Sequence, residues 1–197
     1  MSWKDDQEWE KNWWGNCTNT YGEEQKQLLY ASRMGLSTFH DGRSPYNLSV
    51  SGKVLDIGGG PVSMLLKAPN AKGKVVDPCD YPQWVIERYR VAGIEFEKMS
   101  GEDVSETGYD EVWIYNVLQH TKDPRKIIEN AQNAGKIIRL FEWINTKISK
   151  GHPHSFTAVQ LDGWLNGKGK TEMLNGQSHC FGECYYGIFL GNASGMV

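Results

Sequence analysis

The feature that most constrains the fold is a short apolar run that ends in consecutive glycines. Residues 54–61 read Val-Leu-Asp-Ile-Gly-Gly-Gly-Pro, which is the pattern of a buried strand that passes into a tight turn. Glycine permits positive φ and lets backbone N–H groups approach a ligand with no Cβ in the way. We therefore predict a strand, a ligand-binding turn at Gly58, Gly59 and Gly60, and a helix that opens after the turn. A plain strand-to-helix turn without a ligand is the alternative.

From Lys53 onward, short β-rich runs alternate with helical segments, and this alternation builds a parallel sheet with crossover helices. The clearest helix begins at Asp123-Pro124, an N-cap residue followed by proline at the first helical position, and it is predicted to end at Gly135. Another helix is predicted from Phe156-Thr157 to Leu165. The last two β-rich runs have no helical pattern between them and should pair antiparallel. The predicted strands are 53–57, 73–77, 94–98, 110–115, 136–141, 170–174 and 185–190.

These runs predict one α/β domain with a seven-stranded, mostly parallel sheet and a C-terminal antiparallel hairpin. A chain of 197 residues has the size of a single large domain. Its first part differs from the rest, because it combines a helical-looking segment from Gly22 to Gly35 with a Gly/Ser/Pro-rich stretch. We therefore predict that residues 1–50 form a helical N-terminal extension or lid and that residues 51–197 form the sheet domain.

An acidic residue lies where a nucleoside ligand would need one. Asp77 ends the second β-rich run, 17 residues after Gly60. Its carboxylate could accept hydrogen bonds from both ribose hydroxyls of an adenosine. A loop or capping aspartate is the alternative for Asp77 alone, and the glycine turn upstream favours ribose binding.

Together these patterns resemble the class I S-adenosylmethionine-dependent methyltransferases, in particular their broad small-molecule (type 11-like) group. The glycine motif Asp-x-Gly-x-Gly of that group is present at 56–60. The motif Asn-Val-Leu-x-His, which ends the fourth strand in that group, is present at 116–120 and is followed by Asp123-Pro124. The resemblance covers about residues 53–141. It implies a Rossmann-like fold and S-adenosyl-L-methionine as cofactor.

The resemblance also implies roles for individual residues. The glycine turn with Asp56 would hold the methionine moiety of the cofactor, and Asp77 would hold the ribose. Pro78 would lie against the adenine face, and Glu102 or Asp103 would meet the adenine amino group. The cofactor-binding residues predicted in this way are Asp56, Gly58, Gly59, Gly60, Asp77, Pro78, Gly101, Glu102, Asp103 and Asn116.

Two residues are candidates for catalysis on the acceptor side. His120 follows the fourth strand, near the place where the resemblance puts the reacting methyl group, and an imidazole with an ordinary pKa near 6.5 can take a proton at neutral pH. A histidine that orders the loop is the alternative. Tyr21 ends a stretch rich in tryptophans and amides that could cover the pocket and present Asn16, Asn19 or Tyr21 to the acceptor. Alternatively, the tryptophans only pin the extension to the sheet.

Composition disfavours several partners. The 21 basic and 24 acidic residues give a net charge of −3, which disfavours a nucleic-acid partner. No apolar stretch approaches the roughly 20 residues that span a bilayer. The N-terminus has no apolar run of the signal-peptide type, so we expect a cytoplasmic protein with four free cysteines and an inert Cys79. His152 and His154 lack a third ligand at motif spacing, so we predict no metal site.

The sequence thus predicts a methyltransferase that transfers the methyl group of S-adenosylmethionine to a small-molecule acceptor. Two alternatives keep the cofactor: a non-catalytic binding protein, and a lyase or hydrolase. An NAD-dependent oxidoreductase fits less well, because the third glycine of its G-x-G-x-x-G motif would fall at Ser63. The sequence does not define the acceptor, the acceptor atom or the oligomeric state.

Overall fold

A seven-stranded mixed sheet forms the centre of the computed structural model, which describes residues 3–18, 20–42 and 44–192, without the side chains of Trp3, Lys4, Tyr21 and His179. The helices are α1 (Trp3–Trp14), α2 (Tyr21–Arg33), α3 (Gln83–Val91), α4 (Pro124–Ala134) and α5 (Ala158–Leu165). The strands are β1 (Thr38–Phe39), β2 (Asn47–Leu48), β3 (Gly52–Ile57), β4 (Ala71–Val76), β5 (Glu95–Glu97), β6 (Tyr109–Tyr115), β7 (Gly135–Trp143), β8 (Lys170–Asn175) and β9 (Phe181–Leu190).

The order of strands in the sheet is β5-β4-β3-β6-β7-β9-β8. Strands β5, β4, β3, β6 and β7 are parallel, whereas β9 runs antiparallel to both β7 and β8. The predicted Rossmann-like sheet with five parallel strands and a C-terminal hairpin is therefore confirmed. The chain moves outward from β3 to β5 and then returns to β6, so the direction of winding changes between β3 and β6. Ligands of open α/β sheets bind at such a change, outside the carboxyl ends of the strands.

Each face of the sheet carries its own hydrophobic core. Successive side chains of a strand point to opposite faces, so neighbouring residues of β3 belong to different cores. Val54 packs in the cluster that contains Leu29 and Tyr30 of α2, and Leu55 packs in the cluster that contains Ile127 of α4. Helix α2 thus belongs to the core of the sheet, although it lies within the segment 1–50. A division of the chain at residue 50 stays a prediction.

The predicted helix after the glycine turn is wrong. In the fully described segment 58–70 the only helical element is a single 3₁₀ turn, Met64–Lys67. Two prolines, Pro61 and Pro69, bracket this segment, and a proline disfavours α conformation in the residue before it. Ala68 accordingly has φ −115 and ψ 69. Pro69 therefore limits the helical conformation to the residues before Ala68, where the chain forms only the 3₁₀ turn.

The predicted boundaries of α4 are confirmed, but the role of Gly135 differs from that of a helix-ending glycine. Asp123 caps the helix, because its side chain accepts a hydrogen bond from the backbone N–H of Lys126. Gly135 is extended, at φ −129, and is the first residue of β7. A Cβ at this position would lie 2.7 Å from Cγ2 of Val112. Glycine is therefore needed for the close approach of β7 to β6.

The first fifty residues contain more than helices. Besides α1 and α2 they form a two-stranded antiparallel ribbon of β1 and β2, in which Thr38 pairs with Leu48. Among the described residues, no helix combines the length and the apolar character needed to cross a membrane.

Candidate functional site

A cavity lies at the carboxyl ends of β3, β4, β5 and β6 and encloses about 860 Å³, counting the space at its open mouth. It brings together eight of the ten predicted cofactor-binding residues. Asp56 and Asp103 do not line it. The predicted residues that do line it are Gly58, Gly59, Gly60, Asp77, Pro78, Gly101, Glu102 and Asn116.

The glycine turn after β3 depends on the absence of side chains. Gly58 and Gly60 have φ +73 and +64, in the left-handed region that favours glycine. A Cβ on Gly58 would lie 2.6 Å from the side chain of Val117. The nearest atom to a Cβ on Gly60 would be a ring carbon of Trp14 at 3.6 Å. The turn is therefore tightly packed at Gly58, whereas the backbone of Gly60 is open to the cavity.

Asp56 supports this turn from below. Its side chain is fully buried and accepts hydrogen bonds from the hydroxyls of Ser63 at 2.5 Å and Tyr115 at 2.6 Å. Burial raises the pKa of Asp56 to about 7. The predicted contact of Asp56 with the methionine moiety is thus not supported by its position, because the carboxyl group faces the core instead of the cavity.

Tyr89 is a supporting residue that sequence reasoning missed. Its hydroxyl donates to the carbonyl of Gly60 at 2.6 Å and accepts from the backbone N–H of Ser63 at 2.8 Å. The side chain is fully buried. A tyrosine on α3 thus fixes both ends of the segment that follows the glycine turn.

Asp77 is buried at the end of β4 and lines the cavity. Its Oδ2 accepts a hydrogen bond from the N–H of Gly60 at 3.1 Å. Its Oδ1 accepts from the N–H of Cys79 at 2.9 Å and from the hydroxyl of Tyr81 at 3.0 Å. A carboxylate offers about four acceptor positions, so one position remains for a ligand hydroxyl.

Of the two predicted adenine contacts, the structure brings only Glu102 to the cavity. Its Oε1 accepts from the backbone N–H groups of Lys122 and Asp123, both at 2.9 Å, and its Oε2 accepts from the hydroxyl of Ser100. Gly101 lies close to β3, since a Cβ there would be 2.6 Å from the side chain of Ile57. Glu102 therefore orders the loop before α4 and keeps one acceptor position for a ligand.

The loop after β6 is held in an unusual conformation. Asn116 has φ +57, which is uncommon for a residue other than glycine. Glu142 on β7 stabilises this turn, because its Oε1 accepts from the N–H groups of Val117 and Leu118 at 2.8 and 2.9 Å. Gln119 donates to Oδ1 of Asn116 at 2.9 Å. Two buried side chains thus place Asn116 at the edge of the cavity.

His120 lines the same cavity with a defined tautomer. Its Nδ1 lies 2.7 Å from the carbonyl oxygen of Gly151. A carbonyl oxygen only accepts, so Nδ1 carries the proton and Nε2 keeps its lone pair. Nε2 lies 3.3 Å from the side-chain nitrogen of Gln119. Burial lowers the pKa of His120 below 6.5, so the ring is neutral at pH 7.

The N-terminal helices close the cavity. The residues of α1 that line the cavity are three and four positions apart, and so are the lining residues of α2. Each set therefore lies on one face of its helix. Sequence reasoning missed most of these residues, although the spacing of polar and aromatic residues would have revealed the two faces. The lining residues are Gln7, Glu10 and Trp14 on α1 and Glu23, Gln27 and Tyr30 on α2. Asn19 and the side chain of Tyr21, which were predicted to face the acceptor, lie outside the described residues.

A second cavity adjoins the first. The two share six residues, all near the carboxyl end of β6 or on the N-terminal helices. The walls of the second cavity are rich in aromatic side chains from α1, β7 and β9. The shared residues are Glu10, Trp14, Glu23, Tyr30, Asn116 and His120.

Glu10 lies where the two cavities meet. Its Oε1 accepts from the indole N–H of Trp14 at 3.1 Å, and its Oε2 is 3.5 Å from Nδ1 of His120. Burial, together with the charge of Asp77, raises the pKa of Glu10 to about 7. A buried carboxyl group and a neutral imidazole therefore stand side by side at the junction.

The sequence also drew attention to Cys79, His152 and His154. Burial raises the pKa of the Cys79 thiol, which opposes formation of a reactive thiolate. Nε2 of His154 lies 2.8 Å from the carbonyl oxygen of Thr121. The ring centroids of His152 and His120 are 4.5 Å apart. Within residues 3–18, 20–42 and 44–192, no three His, Cys, Asp or Glu side chains are grouped to hold a metal ion.

The native chain is expected to lose stability as the pH rises, and Glu142→Gln is expected to remove this loss. Burial raises the pKa of Glu142 from 4.5 to about 8, so the folded state keeps a proton that the unfolded state releases. This stabilisation is complete below pH 4.5 and is lost as the pH rises through about 8. One pKa unit corresponds to about 1.4 kcal/mol. The loss therefore amounts to a few kcal/mol, or at least about 5 °C in Tm for a chain of this size.

Thermal unfolding of both proteins between about pH 5 and about pH 8.5 measures this difference. The glutamine keeps an oxygen that accepts from Val117 and Leu118, so the loop stays anchored. Glu129→Gln is the matched control, since Glu129 is half exposed. Parallel Tm curves for the native chain and Glu142→Gln would show that Glu142 does not hold a proton in the folded state.

No protein-family model matches the chain, and no curated protein matches it by sequence. Solved structures do match its fold. An O-methyltransferase family protein from Burkholderia thailandensis superposes with a TM-score of 0.59 at 12% identity, over 84% of this chain and 56% of the other. The chain thus spans little more than half of that protein.

Two further structures match over most of both chains. The 1,6-didemethyltoxoflavin-N1-methyltransferase of B. thailandensis, with bound 1,6-didemethyltoxoflavin and S-adenosylhomocysteine, has a TM-score of 0.60 at 11% identity, over 88% of this chain and 80% of the other. The N-methyltransferase NodS from Bradyrhizobium japonicum, in complex with S-adenosylhomocysteine, has a TM-score of 0.55 at 16% identity, over 86% of each. At these identities the likeness concerns the fold.

Proposed function

We propose that this chain, which has the fold of the class I S-adenosylmethionine-dependent methyltransferases, transfers a methyl group from S-adenosylmethionine to a small-molecule acceptor. The observation that carries the proposal is the cavity in which the glycine turn, Asp77 and Asn116 converge at the carboxyl ends of parallel strands. Two neighbours of the same fold were crystallised with S-adenosylhomocysteine, which supports this cofactor.

The residues of the cavity fit the proposed cofactor. The bare face of Gly60 allows a ligand to approach the backbone, and Asp77 keeps an acceptor position for a ribose hydroxyl beside it. Ile57, Pro78 and Ile127 supply an apolar wall for a base. When bound, S-adenosylmethionine supplies a methyl group on a positively charged sulfur, which is already a good electrophile.

The chain itself then has three tasks, which are to orient the acceptor, exclude water and accept a proton. Helices α1 and α2 cover the cavity, and exclusion of water strengthens the electrostatic interactions inside. His120 offers a neutral Nε2 at the junction of the two cavities, where an acceptor must lose its proton. Asn116 is fixed beside it by Gln119 and by the loop that Glu142 holds.

The geometry favours this reading over a nicotinamide-dependent oxidoreductase. In a dinucleotide-binding fold the glycine turn opens a helix, and the third glycine permits close packing of that helix. Here Ser63 occupies the corresponding position, and its hydroxyl donates to Asp56. The turn leads into a single 3₁₀ turn, so the helix N-terminus that would hold a pyrophosphate is missing.

Asp77→Asn is expected to weaken binding of S-adenosylhomocysteine at least about tenfold, or about 1.4 kcal/mol. A hydrogen bond to a charged group contributes about 1.5–3 kcal/mol, so loss of the negative charge accounts for a change of this size. The asparagine keeps the shape of the side chain and one of its oxygens. Calorimetric titration measures the affinity, and circular dichroism checks the fold.

Asp80→Asn is the matched control, because Asp80 lies on the same loop but is exposed and pairs with Lys98. Its affinity for S-adenosylhomocysteine should equal that of the native chain. Unchanged affinity in Asp77→Asn would reject the ribose assignment. Thermal protection by NAD but not by S-adenosylhomocysteine would reject the proposed function.

A further inference from the structure

The second cavity is the place where the methyl acceptor could bind beside the cofactor. It opens beside the first, and both are bounded by Glu10, Asn116 and His120. A ligand in the second cavity would therefore have its inner end at the Glu10 carboxyl group and the His120 ring. The chemistry of the walls and of this inner end determines which ligand fits.

The walls of the second cavity are aromatic. Trp9 and Trp13 stack with ring centroids 5.7 Å apart and an angle of 16° between their planes. Trp143, Tyr30 and Phe181 also line this cavity. The side chains of Trp13 and Phe181 are 63% and 73% exposed. Large aromatic side chains left exposed around a concave site indicate binding of a planar apolar ligand.

The carboxyl group at the inner end, that of Glu10, lacks a cationic partner. Glu10 accepts from the neutral indole of Trp14 and faces the neutral ring of His120. Of the other acidic residues of this cavity, Glu23 pairs with Lys26 at 2.7 Å. Glu183 accepts from the neutral amide of Asn145 at 2.8 Å and does not border the first cavity. The remaining cationic side chain, Lys147, is exposed on the loop after β7. Among the described residues that line this cavity, Glu10 is thus the carboxyl group that borders both cavities and for which a ligand can supply the cation.

We propose that the second cavity binds an arylalkylamine in its cationic form, with the planar ring among the tryptophans and the alkylammonium group against Glu10. Ammonium groups bind carboxylates through charge-assisted hydrogen bonds, and the faces of indole rings attract cations. This inference rests on the proposed function, in which the amine is the methyl acceptor. Its nitrogen must lose a proton before it can take a methyl group, and Glu10 and His120 are the groups at the junction that can accept that proton.

Three probes with the same ring and a similar arm test the charge preference. They are 2-phenylethylamine, 3-phenylpropionate and 2-phenylethanol, which are a cation, an anion and a neutral molecule at pH 7. Binding is measured by saturation-transfer NMR and calorimetry, with and without S-adenosylhomocysteine. The amine is expected to bind at least about tenfold more tightly than the propionate, a difference of about 1.4 kcal/mol. The alcohol is expected to lie between them.

Two pairs of variants assign the contacts. Glu10→Gln should reduce the affinity for the amine to that for the alcohol, whereas Glu8→Gln, a matched change at an exposed position of the same helix, should leave it unchanged. Trp13→Ala should weaken all three probes. Trp84→Ala, which removes an exposed tryptophan outside both cavities, should weaken none.

Equal or tighter binding of 3-phenylpropionate would overturn the inference, and so would an unchanged affinity for the amine in a folded Glu10→Gln protein. Affinity for S-adenosylhomocysteine separates this failure from failure of the proposed function. If S-adenosylhomocysteine binds and the amine does not, the acceptor class is wrong. If the amine binds through Glu10 and S-adenosylhomocysteine does not bind, the arylalkylamine site stands and the methyltransferase proposal falls.

Discussion

Replacing His120 by asparagine is expected to lower turnover by about 100- to 10,000-fold, which is the contribution of a positioned general base. The asparagine amide can still donate to the carbonyl of Gly151, as Nδ1 of His120 does at 2.7 Å. It has no counterpart to the lone pair of Nε2. The loop thus keeps its anchor while the proton acceptor is lost. Release of S-adenosylhomocysteine with 2-phenylethylamine as acceptor measures turnover.

The pH profile gives a second readout that a structural role would not change. Burial lowers the pKa of His120, and a base acts in its unprotonated form. Turnover of the native chain should therefore show a fall below pH 6.5 as His120 takes up a proton, in addition to the fall near pH 7 that protonation of Glu10 causes. Residual turnover of the variant should lack the lower of these two limbs.

His40→Ala is the control, because His40 is exposed and outside both cavities. It should leave turnover and its pH profile unchanged. A loss of turnover below about threefold in His120→Asn would mean that transfer proceeds by alignment alone. A loss confined to Tm would make His120 a loop-ordering residue.

The parts of the site that follow a strand were predictable from sequence, since the chemistry there is local. The apolar run 54–57 has to be buried, and the glycines after it can only be a turn. Parallel strands deliver their carboxyl ends to one edge of the sheet, so Asp77 and Asn116 had to lie near that turn. The predicted positions of these residues follow from two simple rules, strand burial and strand direction.

The supporting contacts were not predictable, because they join residues far apart in sequence. Glu142 holds the loop of Asn116 from 25 positions away, and Tyr89 reaches Gly60 across 29 positions. No local pattern identifies such pairs. The missing helix after the glycine turn is different, since Pro69, which limits the length of a helix in this segment, was visible in the sequence.

The N-terminal helices are an intermediate case. Their tryptophans suggested a cover, but composition alone did not separate a cover from a structural staple. The spacing of Gln7, Glu10 and Trp14 places them on one face of α1, and the structure puts that face against the cavity. Helix α2 has both roles at once, because Tyr30 lines the cavity and is buried in the core.

Removal of residues 1–15 is expected to lower turnover by at least about 1,000-fold while the sheet stays folded, because misplacement of reacting groups costs about 100-fold and loss of base positioning adds to it. The deletion removes Glu10 and opens the cavity to water. It also removes Asp6, whose carboxylate accepts from the N–H of Gly151 at 3.0 Å and so helps to place the carbonyl that holds His120. It ends before Cys17, which is buried in the core.

The affinity for S-adenosylhomocysteine should fall much less than turnover, because the glycine turn and Asp77 remain in place. A double variant of the intact chain, Lys11→Ala with Asn12→Ala, is the control, since both side chains are exposed on α1 and line neither cavity at the site. It should keep full turnover, because only the inner face of α1 takes part. An insoluble truncated chain, or one without the circular dichroism of the sheet, would make α1 part of the core. Turnover within about threefold of the intact chain would mean that water exclusion by α1 contributes nothing to the reaction.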